Sequence, residues 1–397
     1  MTGVGGTVEA HTERLTTGGP TMPATAPATT AAVPTAAVPT AATAVPTAAT
    51  AVPTAAAAYP TAVRSYHLGA GSGLDRLSLR TAPPRTPGPG EVAVAVRAVS
   101  LSFRELLVLR GQYVLPVKPD LVPVSDGAGE VVAVGPGVRW ARPGDRVTAT
   151  LFPYWRDGRL AADLLPQLGG SLDGMLTELA VLPEQALLPV PAHLSYQEAA
   201  TLPCVGLTAW NALTGDGRGV RPGETVLTTG SGGVSLFALQ YAHALGARVI
   251  ATTGSPAKER RLRELGADAV VNYRDRPDWH TAVRELTGGR GVDRVVDTAG
   301  SLEQSLKSLA VDGHLALVGS VSGDWPPLDP RLLFGVAATV RAVAVGSHAQ
   351  FAAMNEFLAE HALRPVVDRV FPFEEAAAAY DYYERAEPLG KVVIAVG

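Results

Sequence analysis

Residues 224–273 read ETVLTTGSGGVSLFALQYAHALGARVIATTGSPAKERRLRELGADAVVNY, and this stretch decides the fold. Residues 225–229 are β-branched and apolar, which predicts a short strand. Gly230, Gly232 and Gly233 follow at once. Residues 234–245 place apolar side chains at helical spacing and stop at Gly246, and 248–252 read as a second strand. Strand, glycine-rich turn, helix and strand make a βαβ unit of the dinucleotide-binding kind. Glycines let the backbone approach a pyrophosphate, while the helix start offers free N–H groups and the positive end of its dipole. The turn is G-S-G-G-V-S, with Ser235 where a third glycine usually stands. Gly230, Ser231, Gly232, Gly233, Val234 and Ser235 are therefore candidate cofactor contacts. An ordinary βα turn is the plainer alternative.

At 397 residues the chain has room for two domains, and 47% apolar residues can build real cores. A net charge of −4 argues against nucleic acid or an anionic membrane as partner. The single cysteine, Cys204, excludes an internal disulfide or a four-cysteine zinc lobe and suits a cytoplasmic location. No apolar run approaches the ~18 residues of a membrane span. The only lysines are Lys118, Lys258, Lys307 and Lys391, which makes the place of each more informative.

Residues 1–60 carry repeats such as AAVPT and AATAVPT. Regular prolines forbid a helix, and the side chains are too small for a core, so a disordered tail is expected. Prolines and threonines also break the continuous apolar stretch a signal peptide needs. Over 61–190 many short strands with Gly/Pro turns predict a compact β-domain. Among them, 91–101 reads as a strand, 102–110 as a helix and 127–134 as a strand. Ser195 reads as a helix cap, and a further helix is expected over 203–213. Over 191–338 helices and strands alternate, which implies an α/β, doubly wound parallel sheet. Residues 339–397 supply a last parallel strand (339–346), a helix (348–361) and the strand GKVVIAV, which should return to the first β-domain.

In chain order, SLSFRELLVLRGQY, VPVSDGAGEVVAVGPGVRWARPGDRV, AATLPCVGLTAWNAL, GSGGVSLFALQYAHALGARVIAT, LRELGADAVVNYR, DGHLALVG and LGKVVIAVG resemble a medium-chain dehydrogenase/reductase of the zinc-free quinone oxidoreductase and enoyl reductase branch. The resemblance runs from about residue 63 to the end. It implies a GroES-like domain, a Rossmann domain and an active site in the cleft between them.

Zinc members of the family carry a first-domain Cys, a Gly-His-Glu and a later Cys or Asp. Here Ser102 stands at the first place, Val124, Ser125 and Asp126 at the second, and only Cys204 near the third. A catalytic zinc needs about three protein ligands, so none is expected. Cys204 reads otherwise as a small buried residue, and Asp126 as either a buried hydrogen-bonded acid or a solvent-facing one. Without a metal, conjugated acceptors are favoured, because hydrogen-bond donors can hold their developing oxyanion.

The second strand of the βαβ unit ends VIATTGSPAK, without the acid that binds NAD ribose hydroxyls. Small hydroxyls such as Thr253 and a lysine suit a 2′-phosphate instead. The resemblance assigns that phosphate to Ser255, Lys258 and Tyr273, so NADP(H) is expected over NAD(H). Gly319, closing the strand over 314–318, completes the candidate contacts.

On the substrate side the resemblance points to Ser102, as a donor to nicotinamide or substrate, and to Tyr113, as a donor or weak acid. Tyr113 packing with a satisfied hydroxyl is the plainer reading. Ser102 and Glu105 replace the branch's Asn and Asp, which weakens any role of the amide. Arg104 reads as a surface or inter-domain ion pair. Lys391 matches a family Gly-Lys near the cleft and reads as a cofactor contact or a solvated lysine. Tyr154 and Trp155 lie in a loop that could line the pocket. The expected activity is NADPH-dependent reduction of quinones or α,β-unsaturated carbonyls. The alternatives are a zinc-independent alcohol dehydrogenase and a non-catalytic NADPH-binding protein. The resemblance further implies a homodimer joined at the 339–346 strand.

Overall fold

The computed structural model describes residues 59–69, 71, 73–320, 323 and 327–397, all within one compact unit, Pro53–Gly397. The expected disordered tail lies outside them, apart from Tyr59 and Pro60.

Two sheets organise the chain. In the first, six strands lie in the order Ala269–Asn272, Arg248–Thr253, Thr225–Thr228, Val292–Asp297, Leu309–Leu317, Thr339–Ala342, every neighbouring pair parallel. The chain winds one way from Thr225–Thr228 and then the other, so the strand order reverses beside that strand's C-terminal end. That reversal point is where ligands of open α/β sheets bind. Alternate residues serve opposite faces. Val226, Val249, Val296 and Ala316 pack with Leu236, Leu239, Phe351 and Leu358 on one side. Leu227, Ile250, Val295 and Leu315 pack with Val283 and Leu306 on the other.

The second sheet runs Val367–Pro372, Lys391–Ala395, Glu91–Leu101, Asp126–Val134, Arg146–Ala149, Leu187–Pro189, with Leu179–Pro183 also pairing Glu91–Leu101. The closing strand does return to it, with Val392 opposite Leu101 and Ala395 opposite Ala98, antiparallel. This is the GroES-like β-domain beside a Rossmann-like sheet. Among the described residues no helix is long and apolar enough to cross a membrane.

Several boundaries differ from the sequence reading. The helix expected over 203–213 opens as a π-type turn, Leu202–Gly206, before regular helix Leu207–Thr214. Pro203 has no N–H to give, and the turn widens around it. The strand expected over 339–346 ends at Ala342. The helices Pro330–Val336 and Ala376–Arg385 and the strand Val367–Pro372 were not anticipated. Ser195 caps its helix through a full capping box with Glu198.

A buried ion cluster clamps the loop after Leu207–Thr214 to the parallel sheet. Arg294, with 3% of its side chain exposed, reaches Asp216 at 2.5 Å and Glu224 at 3.3 Å. Burial pushes the Asp216 carboxyl up, but Arg294 and the Gly219 and Arg218 amides outweigh it and bring it down to about 2. A depressed carboxylate adds stability above its ordinary value and loses it as pH falls toward the depressed one. Asp216→Asn is therefore expected to lower stability at neutral pH by roughly 2 kcal/mol. In urea titrations the gap to the parent should close as pH falls from near 4 toward 2. A gap independent of pH would refute the assignment.

Candidate active site

The glycine-rich turn sits at the reversal point. Gly230 takes φ 81°, a left-handed conformation that favours glycine, and its N–H bonds Thr252 Oγ1 at 3.1 Å. Gly232 precedes the helix Gly233–Ala244 with no side-chain cap, so the first N–H groups carry no side-chain acceptor. A Cβ on Gly232 would meet nothing within 4 Å, whereas one on Gly233 would lie 2.9 Å from Lys391 Cδ. Ser235 is buried. Its hydroxyl donates to the Thr229 carbonyl at 2.7 Å and bonds Thr298 Oγ1 at 3.1 Å, so it braces the turn from behind.

At the end of Arg248–Thr253, Thr253 accepts from the Ser255 N–H at 3.1 Å, and Ser255 precedes the helix Pro256–Glu264 without capping it. Lys258 donates to the Glu387 carbonyl, and Arg274 pairs with the Glu387 carboxylate at 3.7 Å. A Cβ on Gly254 would lie 2.6 Å from the Tyr273 hydroxyl and 2.8 Å from Arg274 Nε. Ser255, Lys258, Tyr273 and Arg274 thus gather around one strand end. Arg274 went unnoticed in the sequence, although it directly follows Tyr273. Gly319 follows Leu309–Leu317 at the same C-terminal edge of the sheet, and among the described residues nothing lies within 4 Å of its Cβ position.

The two sheets meet at a group of buried charges. Gly390 donates its N–H to the Ser231 carbonyl at 3.3 Å, so the last strand starts against the glycine turn. Lys391 is 2% exposed and not solvated. Its Nζ donates to the Leu101 carbonyl and, at 2.7 Å, to Ser102 Oγ. Ser102 in turn donates to Asp126 Oδ2 at 3.4 Å. A hydroxyl has one proton, and this geometry directs it at Asp126. Ser102 therefore holds two charges together here, which departs from its expected part as a donor toward nicotinamide or substrate. Asp126 is fully buried, which excludes the solvent-facing reading. Burial pushes its carboxyl up to about 6 against the pull of Lys391, and burial also lowers the Lys391 ammonium. Ser125 bonds Asp126 Oδ1 at 2.7 Å and Glu105 Oε1 at 3.1 Å. Just before it, Val124 sits at φ 70°, a strained conformation for a β-branched residue, tied down by Met175 N–H to its carbonyl at 2.7 Å.

Arg104 is neither at the surface nor between domains. It is buried on the helix Phe103–Leu109, bonds Glu105 at 2.8 Å and the Gly169 carbonyl at 3.0 Å, and lies 4.8 Å from the Tyr113 ring centre. Sequence reading missed this pair because neighbouring residues on a helix do not normally face each other. Burial pushes the Tyr113 phenol up and Arg104 draws it back. Tyr113 also packs on the core of the first β-domain. Cys204, in the π-type turn, has its thiol pushed up to about 12 by burial. Phe152, Trp155, Leu115 and Val345 form an apolar wall beside it. Trp155 joins that wall and Tyr154 does not, being 41% exposed.

Among the described residues, no group of three or more His, Cys, Asp or Glu is arranged to hold a metal ion. Ser102 bonds the Lys391 ammonium and Asp126 lies 3.9 Å from it, and an ammonium repels a cation, so these two positions do not suit zinc.

Residues 88–192 match the alcohol dehydrogenase GroES-like domain, and 233–360 match the zinc-binding dehydrogenase family. A zinc-type alcohol dehydrogenase-like protein of Schizosaccharomyces pombe is 38% identical over 82% of this chain and 96% of its own length. An acryloyl-coenzyme A reductase of Metallosphaera sedula is 33% identical over 78% of this chain and 93% of its own. Among solved structures, an NAD-dependent alcohol dehydrogenase aligns with TM-score 0.77 and 38% identity, covering 84% of this chain and all of the other. A mycobacterial protein complexed with NADPH aligns with TM-score 0.71 and 30% identity, over 84% of this chain and 99% of the other.

Removing one member of a buried pair strands the other charge. Arg104→Met is expected to lower stability by about 3–5 kcal/mol in urea unfolding, and Arg104→Met with Glu105→Met to recover most of that. A single-variant loss under about 1 kcal/mol, the worth of an exposed pair, would contradict the burial.

Proposed function

The chain belongs to the medium-chain dehydrogenase/reductase family and is an oxidoreductase of that type, and from that premise we propose that it reduces quinones or α,β-unsaturated carbonyls with NADPH and without zinc. The observation that carries this reading is the gathering of Ser255, Lys258, Tyr273 and Arg274 around a strand whose own end carries no acid, with Glu387 as the present partner of Lys258 and Arg274, beside an uncapped glycine turn. A 2′-phosphate wants positive charge and donors, and that strand end offers both. The turn, Gly230 to Val234, would take the pyrophosphate on the N–H groups of the helix start. A bound dihydronicotinamide supplies hydride, the chemistry the side chains lack.

The rest of the cleft suits a conjugated acceptor. Leu115, Phe152, Trp155 and Val345 offer a dry wall for a flat molecule. Charge spreading through conjugation lowers the demand for a Lewis acid. Tyr113, with Arg104 against its ring, is the candidate hydrogen-bond donor from the first domain. Likeness to a relative named acryloyl-coenzyme A reductase favours an activated C=C bond. A second reading, alcohol dehydrogenation without metal, is favoured by likeness to an NAD-dependent alcohol dehydrogenase. We also propose a cytoplasmic homodimer. The edge strand Thr339–Ala342 is largely exposed, as are Val340 and Phe334 nearby, and edge-to-edge pairing would cover them.

NADPH oxidation with a panel of quinones and enones, chelator present, tests the reaction. Turnover of simple alcohols with NAD, and of no quinone or enone, would replace it with the second reading. Lys258→Ala is expected to weaken NADPH binding about 10- to 100-fold, the loss of one or two charge-assisted hydrogen bonds, with NADH binding nearly unchanged. Equal losses for both cofactors, read by fluorescence titration, would remove Lys258 from the phosphate site.

A further inference from the structure

The buried ammonium between the sheets has no part in the reading so far. We propose that Lys391 is the electrophile of the site: its ammonium, held by Leu101 and Ser102 and balanced by Asp126, meets the negative charge that develops on the acceptor's oxygen. The inference rests on the reductase reading and adds the group that replaces metal polarisation.

Three observations carry it. First, the side chain leaves the second sheet, passes the glycine turn of the first, and comes back to its own sheet's neighbouring strand. Its Cδ packs where a Cβ on Gly233 would stand, at 2.9 Å, so the stem runs past the cofactor turn. Its Nζ then bonds the Leu101 carbonyl and Ser102 Oγ, on the substrate side of the cleft. A lysine serving the pyrophosphate would turn its head toward the turn. Second, two of its three protons are placed by those bonds, and Asp126 Oδ2 at 3.9 Å lies within ion-pair range but beyond a hydrogen bond. One N–H is left to meet an oxygen. Third, the counter-charge at close range is single. Glu105, linked to Asp126 through Ser125, is already neutralised by Arg104, so the Lys391 charge faces Asp126 alone at close range.

In an enone, arrival of hydride with its electron pair at the β-carbon moves the π electrons onto the carbonyl oxygen. The acceptor gains two electrons, the nicotinamide loses them, and the ammonium holds the enolate by a hydrogen bond in a dry site, where such a donor acts most strongly. Solvent then supplies the proton at the α-carbon. For a quinone the same charge appears on a phenolate oxygen.

The test uses 4-nitrophenol as an oxyanion probe on the full chain with NADP⁺ bound. Absorbance distinguishes bound phenolate from phenol. The parent is expected to take up the phenolate. Asp126→Asn, which keeps the cation and removes its counter-charge, should bind it at least as tightly. Lys391→Met with Asp126→Asn, which buries no unbalanced charge, should bind it about 100-fold more weakly, with NADPH affinity within about threefold of the parent. Enone turnover in that double variant should fall about 10²- to 10³-fold, the cost of losing one oxyanion donor. Failure of the parent to bind phenolate, or undiminished binding by the double variant, would overturn the proposal. So would a loss of NADPH affinity that matches the loss of turnover, which makes Lys391 a cofactor holder. A parent that binds phenolate in this way but reduces no quinone or enone would overturn the reductase reading and leave the oxyanion site standing.

Discussion

Four charges buried in and beside the second sheet have to balance, and the arrangement of the cleft depends on how they do. Arg104, Glu105, Asp126 and Lys391 are each at most 8% exposed. Taking an ion out of water costs several kcal/mol even after relaxation, so each must find an opposite charge and hydrogen bonds for its remaining atoms. Arg104 and Glu105 pair as direct neighbours at 2.8 Å, with Arg104 Nε left without a hydrogen bond. Lys391 and Asp126 do so loosely, 3.9 Å apart with Ser102 between them. The tight pair reads as structure. The loose pair leaves a charge with unspent capacity, which is what a site for a developing anion requires.

That balance also fixes the topology. Lys391 begins the last strand, yet its partners lie on the strand Glu91–Leu101, at Ser102 beyond it and on Asp126–Val134. The chain must complete the whole parallel sheet before Lys391–Ala395 can return antiparallel to Leu101 and bring the ammonium to Ser102. Just before the same strand, Gly390 bonds Ser231, so one short element touches the glycine turn and Ser102 together. A shift of its register by one residue would turn Lys391 to the other face and leave Asp126 unpaired. Burial of the charges therefore supports the register, and the register places the charges.

How much of this could be read from the sequence follows from the range of each interaction. The βαβ unit at 224–253 was legible because its signals are local: β-branched run, glycines, helical spacing, second run. Its boundaries fell within one residue of those observed, Thr225–Thr228, Gly233–Ala244 and Arg248–Thr253. The helix cap at Ser195 was legible for the same reason, and the structure adds the reciprocal bond with Glu198. Arg104 was misread because its burial depends on Gly169, Tyr113 and the wall of the first domain, all distant in sequence. The π-type turn at Leu202–Gly206 hid inside an ordinary helical pattern, since periodicity does not register one widened turn. Arg274 needed the fold of Gly254 beneath it before its position meant anything. Lys391 could be placed near the cleft, but the direction of its head group could not, because that is set by Leu101 and Ser102 some 290 residues away.

An ammonium and a zinc ion would not serve the same substrates. A divalent metal binds a carbonyl oxygen directly and polarises it before hydride arrives, which an unconjugated ketone or an alcohol needs. An ammonium gives one hydrogen bond, worth most when the oxygen carries full charge and water is excluded. It therefore helps late, as charge develops, and favours acceptors whose conjugation carries the early part of the barrier. Asp126 adds a further restraint. With its carboxyl held up at about 6 by burial, it is ionised near neutrality and tempers the field of Lys391. Such a site is matched to oxygen atoms that become anionic during the reaction, and poorly matched to acids that arrive already charged. An apolar wall from Leu115 to Val345 pushes in the same direction, since it rewards a flat neutral body with one oxygen at its end.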